Sequence, residues 1–356
     1  MLKKIIKEGK QKIWLRNRES LRSKHELRYL FWECTLNCNF HCIHCGSSAG
    51  DRFEKDTVST QEIKAAFKDV ATNMDANRVM LAITGGEPLL RKDLFDVVTY
   101  ATSLGFHWGM VTNGFLVTKE IVAKCIKASL SSVDVSIDGI GKIHDDFRNT
   151  KGAYERAMNA VKFFADTGKV PMLRISTTIN KNNINELGRM YEVFSKSGAK
   201  YWRPIIVDPI GRALENKDIC LSRAQITKLL NFVKEKRDSK SKLDTSLGCA
   251  HFFGDYEDEV RQGFFYCATG INIASILHNG DIYVCPNVPR RKEFVYGNIK
   301  KDSLSKIWNE KFDFFRQKER TSNEKCLNCK HWEECLGGSF HSWNMSTMEQ
   351  KMCLMP

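Results

Sequence analysis

The chain has 356 residues, enough for one large domain and a smaller one, and its 42% hydrophobic and 27% charged residues are those of an ordinary globular protein. Lysine and arginine outnumber aspartate and glutamate by 55 to 42, a net charge of +13 that suits an acidic peptide, nucleic acid or anionic lipid. No apolar run approaches the roughly 20 residues that span a bilayer, and the first residues lack a secretory-signal pattern, so we expect a cytoplasmic protein without a membrane span.

A basic segment opens the chain, with nine Lys or Arg and two Glu between residues 3 and 24. We expect a surface helix with a solvated basic face over residues 1–26. Short strand-like apolar runs and amphipathic helix-like segments then alternate. The strand-like runs are 28–33, 78–84, 106–112, 131–138, 172–180 and 201–207, and the helix-like segments are 60–72, 94–104, 118–128, 153–166 and 184–197. This alternation predicts βα units around a parallel sheet, and six units are too few for a closed eight-unit barrel.

The pattern changes in the last third of the chain. Residues 208–248 predict a helical connector, whose polar stretch at 234–244 marks a boundary. The sequence "INIASILHNGDIYVC" (271–285) predicts a β-hairpin that turns at Asn279 and Gly280. The predicted fold class is α/β, a partial (β/α)6 TIM-like barrel followed by a small cysteine-rich α+β domain. The predicted divisions are 1–26, 27–220, 221–248 and 249–356.

Thirteen cysteines in a reducing compartment favour metal or redox chemistry over disulfides. In "CTLNCNFHCIHCG" (34–46), Cys38, Cys42 and Cys45 form C-x3-C-x2-C on the loop after the first strand. Thiolates bind zinc or iron–sulfur clusters, and a zinc site would need a second pair of ligands downstream. Three thiolates on a four-iron cluster leave one iron open for chemistry, by analogy with catalytic zinc. Cys34 precedes the triad, and we expect it to be a buried apolar side chain.

The triad and three later motifs resemble the radical S-adenosylmethionine (SAM) superfamily over residues 28 to about 207. "TGGEP" (84–88) follows the second strand, where that family has its GGE motif, and "TNG" (112–114) follows the third. "SIDG" (136–139) and "HDDFR" (144–148) follow the fourth strand. The resemblance implies a [4Fe–4S] cluster held by Cys38, Cys42 and Cys45, whose fourth iron is chelated by SAM. Reductive cleavage of SAM then gives a 5′-deoxyadenosyl radical that takes hydrogen from a substrate.

The same resemblance assigns side chains to SAM. Glu87 would supply a carboxylate for its ammonium group, and Gly85 and Gly86 would let the backbone approach a ligand closely. Arg148 would pair with the SAM carboxylate, while Asp138 is either part of this site or a helix cap. The remaining candidates for SAM contacts are Asn113, Ser136 and Asn180.

Most of the other cysteines follow the connector, and they resemble a SPASM extension that binds one or two auxiliary [4Fe–4S] clusters. The family pairing implies one cluster on Cys326, Cys329, Cys335 and Cys353. A second would use Cys249, Cys267, Cys285 and a cysteine four residues after Cys335, where this chain has Ser339. That site is open at one iron, takes His341 as a nitrogen ligand, or is lost. A zinc ribbon is the plainer alternative for this region.

The resemblance implies the type of reaction but not the substrate, because a fold does not determine its substrate. Pro286 stands where sulfatase-maturating relatives have an aspartate, which disfavours formylglycine formation. We expect a radical SAM enzyme that modifies a peptide or protein side chain and receives electrons from a flavodoxin- or ferredoxin-type donor. The alternatives are synthesis of a small molecule or cofactor, and a non-catalytic iron–sulfur protein for electron transfer or regulation. We expect no nucleic-acid partner, since a zinc-dependent nucleic-acid binder would need paired histidines and interleaved aromatics that are not evident here.

Overall fold

The fold is built on one continuous sheet of ten strands. In this computed structural model the described residues are 2–50, 57–239, 242–248, 251–318, 324–347, 349–350 and 353–355, without the side chains of 2–7 and 349. The strands of this sheet are β1 (Tyr29–Glu33), β2 (Met80–Thr84), β3 (His107–Thr112), β4 (Leu130–Ser136), β5 (Met172–Ile179), β6 (Tyr201–Ile206), β7 (Asp244–Thr245), β8 (Ile273–Ile276), β9 (Asp281–Tyr283) and β10 (Gly297–Asn298). A separate two-stranded ribbon pairs β11 (Trp343–Asn344) with β12 (Glu349–Gln350).

Helices connect the strands of the first half and fill the C-terminal part. The described helices are α1 (Leu2–Lys24), α2 (Thr60–Asn73), α3 (Leu94–Ser103), α4 (Lys119–Lys127), α5 (Lys142–Arg148), α6 (Ala153–Thr167), α7 (Leu187–Ser195), α8 (Arg223–Asp238), α9 (Glu257–Val260), α10 (Leu304–Lys311), α11 (Asp313–Arg316), α12 (Glu324–Leu327) and α13 (Trp332–Cys335). None of them is both long and apolar enough to pass through a membrane.

Local sequence explains where these helices begin. Ser59 caps α2 by accepting from the backbone N–H of Glu62, whose carboxylate accepts in return from the backbone N–H of Ser59. This reciprocal pair satisfies two of the N–H groups that every helix start leaves unbonded. Ser222 and Gln225 form the same capping box at the start of α8. Within α2 and α8 the buried apolar residues recur every three or four positions, so each of these helices buries one face.

Six parallel strands, in the order β1 to β6, form the centre of the sheet. Their carboxyl ends meet at one edge, which is where loops carry functional groups in folds of this kind. Aromatic side chains pack the outer layer: Trp202 of β6 lies 5.5 Å from Phe194 of α7 and 6.0 Å from Phe232 of α8, measured between ring centroids. Trp32, Trp108 and Trp202 are all buried, so the helix-facing side of the sheet is a packed apolar core.

The C-terminal part extends this sheet at both edges. β7 adds to β6 in parallel, and β8 adds to β1 in parallel. β8 and β9 are the predicted hairpin, with Ser275 opposite Tyr283 and the turn at Asn279 and Gly280, and β10 continues beyond β9. Gly280 has φ 93°, the left-handed conformation that glycine adopts without strain. The β-hairpin prediction is confirmed.

The N-terminal helix packs on the C-terminal part. The guanidinium of Arg18 donates to the backbone carbonyls of Glu333 (2.7 Å) and Glu334 (2.9 Å), which lie within α13. Trp14 packs against Phe264, with 5.3 Å between ring centroids. The side chain of Arg18 is buried, so α1 is held to the cysteine-rich segment by a buried cation as well as by aromatic contacts.

The predicted fold class is confirmed: an α/β structure with a parallel sheet precedes a small cysteine-rich part. What the sequence reasoning missed is that β7 to β10 join the same sheet. β7 and β10, of two residues each, carry too little alternation to be recognised, and the sequence of the predicted β8–β9 hairpin does not indicate which strand it pairs with. The predicted division of the chain into four segments stays a prediction.

Candidate functional site

The loop after β1 carries the cysteine triad, and backbone hydrogen bonds continue the β1–β2 pairing into it. The N–H of Cys34 donates to Thr84 O at 2.9 Å, and the N–H of Gly86 donates to Thr35 O at 2.7 Å. The N–H of Glu87 then donates to the carbonyl of Asn37, which directly precedes Cys38. The start of the loop is therefore fixed to the end of β2.

Two glycines make this close approach possible. A Cβ atom on Gly86 would lie 2.0 Å from the carbonyl oxygen of Asn37, and one on Gly85 would lie 2.2 Å from that of Thr35. Gly85 also has φ 132°, a conformation that other residues rarely adopt. The sequence reasoning expected these glycines to admit a ligand; the structure shows that they admit the backbone of the loop that carries the cysteines.

A second segment holds the other end of the loop, and the sequence reasoning missed it. After β6, the backbone N–H of Arg212 donates to Cys45 O at 3.0 Å. The Arg212 side chain donates through Nε to Cys42 O and through Nη1 to Ala49 O, both at 2.7 Å. A Cβ on Gly211 would lie 2.3 Å from Cys45 O, so glycine is required there too. The sequence offers only a Gly-Arg pair after a predicted strand, and that pair does not indicate the segment it binds.

The three thiols lie in a largely apolar pocket. Cys42 is buried and Cys38 and Cys45 are half-buried, packed with Phe40 and Phe115. Burial raises the pKa of the Cys38 thiol to about 11, and it raises that of Cys42 against the opposing charge of Arg148. Thiols in such surroundings become thiolates when a metal binds them. None of these three cysteines forms a disulfide.

Glu87 and Asn113 lie next to the triad, with Nδ2 of Asn113 4.0 Å from the sulfur of Cys38. Glu87 is fully buried, and its Oε1 accepts from the Thr112 hydroxyl (2.8 Å) and the Leu89 N–H (3.2 Å), while Oε2 accepts from the Asn113 N–H (2.8 Å). Burial raises the pKa of Glu87 to about 7, although these three donors oppose the shift. Asn113 donates from Nδ2 to Asn39 Oδ1 at 2.8 Å. Oε2 of Glu87 keeps one acceptor position for a further donor.

Arg148, at the end of α5, connects the triad to β4. Its Nε donates to Oδ2 of the buried Asp138 at 2.6 Å, and its Nη1 lies 3.9 Å from the sulfur of Cys42. Burial alone would lower the pKa of Arg148, but Asp138 and Cys42 raise it above its usual value. Asp138 accepts from Arg148 and from the Thr178 N–H, and the α5 N-cap is Gly141, so Asp138 is not the cap of that helix.

The last two predicted SAM contacts lie at the same edge of the sheet. Ser136 is half-buried at the end of β4, opposite Ser176 of β5. Asn180 follows β5 and is buried; its Nδ2 donates to Thr178 O and its Oδ1 accepts from the Asn182 N–H. The amide of Asn180 is therefore used within its own turn. Ser136 lies at the carboxyl end of β4, at the same edge of the sheet as the triad loop.

Two groups of cysteines lie in the C-terminal part. Cys267 and Cys285 both lie near Thr269: the Cys267 thiol is 3.3 Å from its hydroxyl, and burial raises the pKa of Cys285 to about 11. In the second group, burial raises the pKa of Cys335 to about 12, and the neighbouring Cys353 and Cys326 raise it further. Cys329 is a close neighbour of Cys326. The predicted ligand Cys249 lies outside the described residues.

Ser339 and His341 lie where the second auxiliary site was predicted to lack a cysteine. Ser339 is buried, and within the described part of the chain its hydroxyl meets no hydrogen-bond partner. His341 instead directs its Nε2 to Oδ2 of Asp208, at 2.7 Å. The three outcomes expected for that site stay predictions.

A cavity of about 570 Å³ lies between the triad loop and the C-terminal part. Residues 46–48, which directly follow Cys45, line one part of the cavity, and residues 208–211 after β6 line another. The C-terminal part contributes residues 286–290 and 341–343. Lys217 and Arg290 bring positive charge to its lining, and Arg290 is paired with the buried carboxylate of Glu33. The cavity therefore touches the triad loop and both halves of the chain.

Comparison with protein families agrees with this geometry. A model of the radical SAM superfamily matches residues 32–194, and a model of the SPASM iron–sulfur cluster-binding domain matches residues 267–330. A radical SAM domain and a SPASM domain are therefore found in this chain. Its cofactors are [4Fe–4S] clusters together with SAM, and buried thiols clustered beside a fixed cation are a donor set that fits such clusters.

Individual relatives differ in what they are named for. The chain is 27% identical to an AdoMet-dependent heme synthase of Oleidesulfovibrio alaskensis over 92% of its own length and 87% of the relative. It is 29% identical to the mycofactocin maturase MftC of Mycolicibacterium smegmatis, over 87% of its length and 77% of that protein.

Solved structures show the same fold. Streptococcus suis SuiB bound to S-adenosylmethionine superposes with a TM-score of 0.73 at 18% identity, covering 92% of this chain and 77% of that one. The enzyme anSMEcpe with bound AdoMet superposes with a TM-score of 0.72 at 17% identity, covering 92% of each chain.

Proposed function

We propose that this protein cleaves SAM reductively and takes a hydrogen atom from a substrate held in the 570 Å³ cavity. The observation that carries the proposal is the position of the cavity: residues 46–48 form one side of it and directly follow the ligand Cys45. A cluster held by Cys38, Cys42 and Cys45 would supply, when SAM is bound, the one-electron chemistry needed to cleave the sulfonium bond. The chain supplies thiolates, fixes the loop and places a substrate beside it.

In this proposal Cys38, Cys42 and Cys45 hold the catalytic cluster. Arg148 and Ser136 contact SAM, with Arg148 held in position by Asp138. Glu87 offers its remaining acceptor position to the SAM ammonium, and it also fixes Asn113 next to the triad. Gly85 and Gly86 keep the loop close to β2. Asn180 contributes through the turn after β5, since its side chain is already bonded there.

We propose a peptide or protein side chain as the substrate. Mycofactocin maturase, a relative that covers most of this chain, is named for maturation, and SuiB has been crystallised with its precursor peptide. The cavity has polar groups from both halves of the chain and borders the C-terminal part, so a segment of peptide can enter it while the rest remains outside. A flavodoxin- or ferredoxin-type protein would deliver the electron, and the reaction would take place in the cytoplasm.

A small-molecule substrate is the second candidate. The observation that favours it is that relatives named AdoMet-dependent heme synthase align over 92% and 87% of this chain at 27% and 28% identity. Lys217 and Arg290 in the cavity lining would suit a substrate that carries carboxylates.

The reaction is tested first without any substrate. Protein purified and reduced in the absence of oxygen is expected to convert SAM to 5′-deoxyadenosine and methionine, and Cys42→Ala is expected to abolish this. Cys34→Ala is the matched control, because Cys34 is buried only four residues from Cys38 and lies outside the triad. Equal loss in both variants, or activity that survives in Cys42→Ala, would remove the proposed cluster ligation.

The substrate is tested by isotope transfer. Any short peptides encoded beside the gene, uniformly deuterated, are incubated with enzyme and SAM. Deuterated Fe-coproporphyrin III, the compound for which a 25% identical relative from Methanosarcina barkeri is named, is incubated separately. Deuterium in 5′-deoxyadenosine together with a mass change of the peptide supports the first candidate. Transfer from the porphyrin alone would replace it with the second.

A further inference from the structure

Asp208, His251 and His341 meet at one edge of the cavity from three separate parts of the chain. Asp208 follows β6, His251 lies between β7 and α9, and His341 lies between α13 and β11. Nε2 of His251 is 2.7 Å from Oδ1 of Asp208, and Nε2 of His341 is 2.7 Å from Oδ2. The two rings are inclined at 81°, with 5.8 Å between their centroids. Two imidazole nitrogens and a carboxylate thus converge on one small volume.

We propose that Asp208, His251 and His341 bind a divalent transition-metal ion, zinc or ferrous iron, at a site separate from the iron–sulfur clusters, which removes His341 as the nitrogen ligand of the second auxiliary cluster. Two imidazole nitrogens with one carboxylate are a donor set typical of zinc and of non-haem ferrous iron. Magnesium and calcium prefer oxygen ligands alone, so they are disfavoured here.

The spacing of the three side chains suits such an ion. Metal–nitrogen and metal–oxygen bonds of about 2.1 Å place neighbouring ligand atoms about 3.0 Å apart in an octahedral site and about 3.4 Å apart in a tetrahedral one. The observed contacts of 2.7 Å are about 0.3 Å shorter than the octahedral spacing and about 0.7 Å shorter than the tetrahedral one, and the three ligand atoms all lie within 4.8 Å of one another. Rotation of the side chains by a few tenths of an ångström at their ligand atoms would bring the contacts to the octahedral spacing.

Burial and charge favour the same conclusion. The side chains of His251, His341 and Asp208 are only 2%, 9% and 10% exposed. Burial alone would raise the pKa of Asp208, but the two imidazoles hold it well below its usual value, so its carboxylate is charged. Buried carboxylates are found paired with cations or coordinating metals, and a bound divalent ion would be the largest local charge beside Asp208.

The site is open toward the cavity. Asp208 and His341 both line it, whereas His251 lies behind them. Three protein ligands leave coordination positions unfilled, which is the arrangement of catalytic sites and not of closed structural ones. The ion would bind an oxygen of the molecule in the cavity, either a carboxylate or a carbonyl group.

The same geometry also describes a purely hydrogen-bonded network, in which each imidazole donates to one oxygen of Asp208. The two descriptions differ in whether the protein takes up one metal ion that depends on these three residues. SAM cleavage does not enter that measurement, so the metal site and the proposed reaction can fail separately.

The test uses the whole protein with its clusters, purified without oxygen, passed over chelating resin and titrated with Zn²⁺. Zinc and iron are measured by mass spectrometry after gel filtration. We expect one zinc ion per chain that is absent from Asp208→Asn and His341→Gln, with iron unchanged. Loss of a direct ligand should weaken zinc binding by at least about 100-fold, the upper end of what second-layer changes cost.

His278→Gln is the matched control, because His278 forms a single imidazole–carboxylate pair with Glu33 at 3.0 Å; it should keep the zinc. X-ray data at the zinc edge locate the ion in the wild-type protein even if a variant folds poorly. The proposal is overturned if the anomalous signal lies only on cysteines. It is also overturned if the zinc content is the same in all variants, or if the wild type takes up no zinc.

Discussion

Replacing Gly86 with alanine tests how the triad loop is positioned. The added Cβ would lie 2.0 Å from Asn37 O, whereas real contacts of this kind are essentially never shorter than 3.0 Å, so the two backbones must separate by about 1 Å. The Gly86 N–H to Thr35 O and Glu87 N–H to Asn37 O bonds, now 2.7 and 2.9 Å, would then exceed hydrogen-bonding distance. Their loss costs about 1–3 kcal/mol of the free energy of unfolding.

The effect on the cluster should be larger than the effect on stability. Asn37 directly precedes Cys38, and metal ligands tolerate displacements of only about 0.2 Å. Gly86→Ala is therefore expected to lose the roughly four irons of the catalytic cluster and all SAM cleavage, while iron in the C-terminal part remains. Iron per chain and 5′-deoxyadenosine are the two measurements.

The matched control is Gly188→Ala. Gly188 lies in α7 with no atom within 4 Å of the position that a Cβ would occupy, so alanine should be neutral or stabilise the protein by up to about 1 kcal/mol. Wild-type iron and wild-type SAM cleavage in Gly86→Ala would show that the loop does not depend on this contact, and the reasoning would be wrong.

Three further changes probe other parts of the molecule. Arg212→Ala removes two side-chain hydrogen bonds, to Cys42 O and Ala49 O, and should lower the iron content of the catalytic cluster. Arg212→Lys should restore that iron only in part, because an ammonium cannot reach both carbonyls. Full iron in Arg212→Ala would show that Arg212 does not hold the triad loop. Arg18→Ala should lower the free energy of unfolding, measured in denaturant, by about 3 kcal/mol and loosen the segment around Cys335. Arg16 is exposed, and Arg16→Ala should change that free energy by less than about 0.5 kcal/mol. Equal effects of the two changes would mean that Arg18 does not hold α1 in place. Because burial raises the pKa of Glu87 from 4.5 to about 7, the folded protein keeps that proton to higher pH than the unfolded chain. The free energy of unfolding should therefore fall by up to about 3 kcal/mol as pH rises from about 4.5 to 7, and Glu87→Gln, measured over the same range, should lack that part of the slope.

The sequence allowed the barrel strands and the triad to be predicted because both have local patterns. Each βα unit repeats an apolar run and an amphipathic helix, and Cys38, Cys42 and Cys45 lie within eight residues of each other. The hairpin at Asn279 and Gly280 was predictable for the same reason, since its turn is encoded by two adjacent residues.

Contacts between distant segments were not predictable. Arg212 lies 170 residues after Cys42, whose carbonyl it binds, and nothing near either residue indicates the other. Asp208, His251 and His341 are single polar residues on three unrelated segments, and only the fold brings their side chains together. The contact between Gly86 and Asn37 was not predictable either, because a glycine after a strand indicates a close approach of the backbone but not the segment that it approaches.

The continuous sheet has a consequence for any attempt to divide the protein. β8 covers the free side of β1, and β7 covers that of β6. A fragment that ends after β6 would present two bare rows of N–H and C=O groups, and such uncovered margins invite association with other chains. We therefore expect a barrel fragment expressed alone to self-associate, however well its own residues pack.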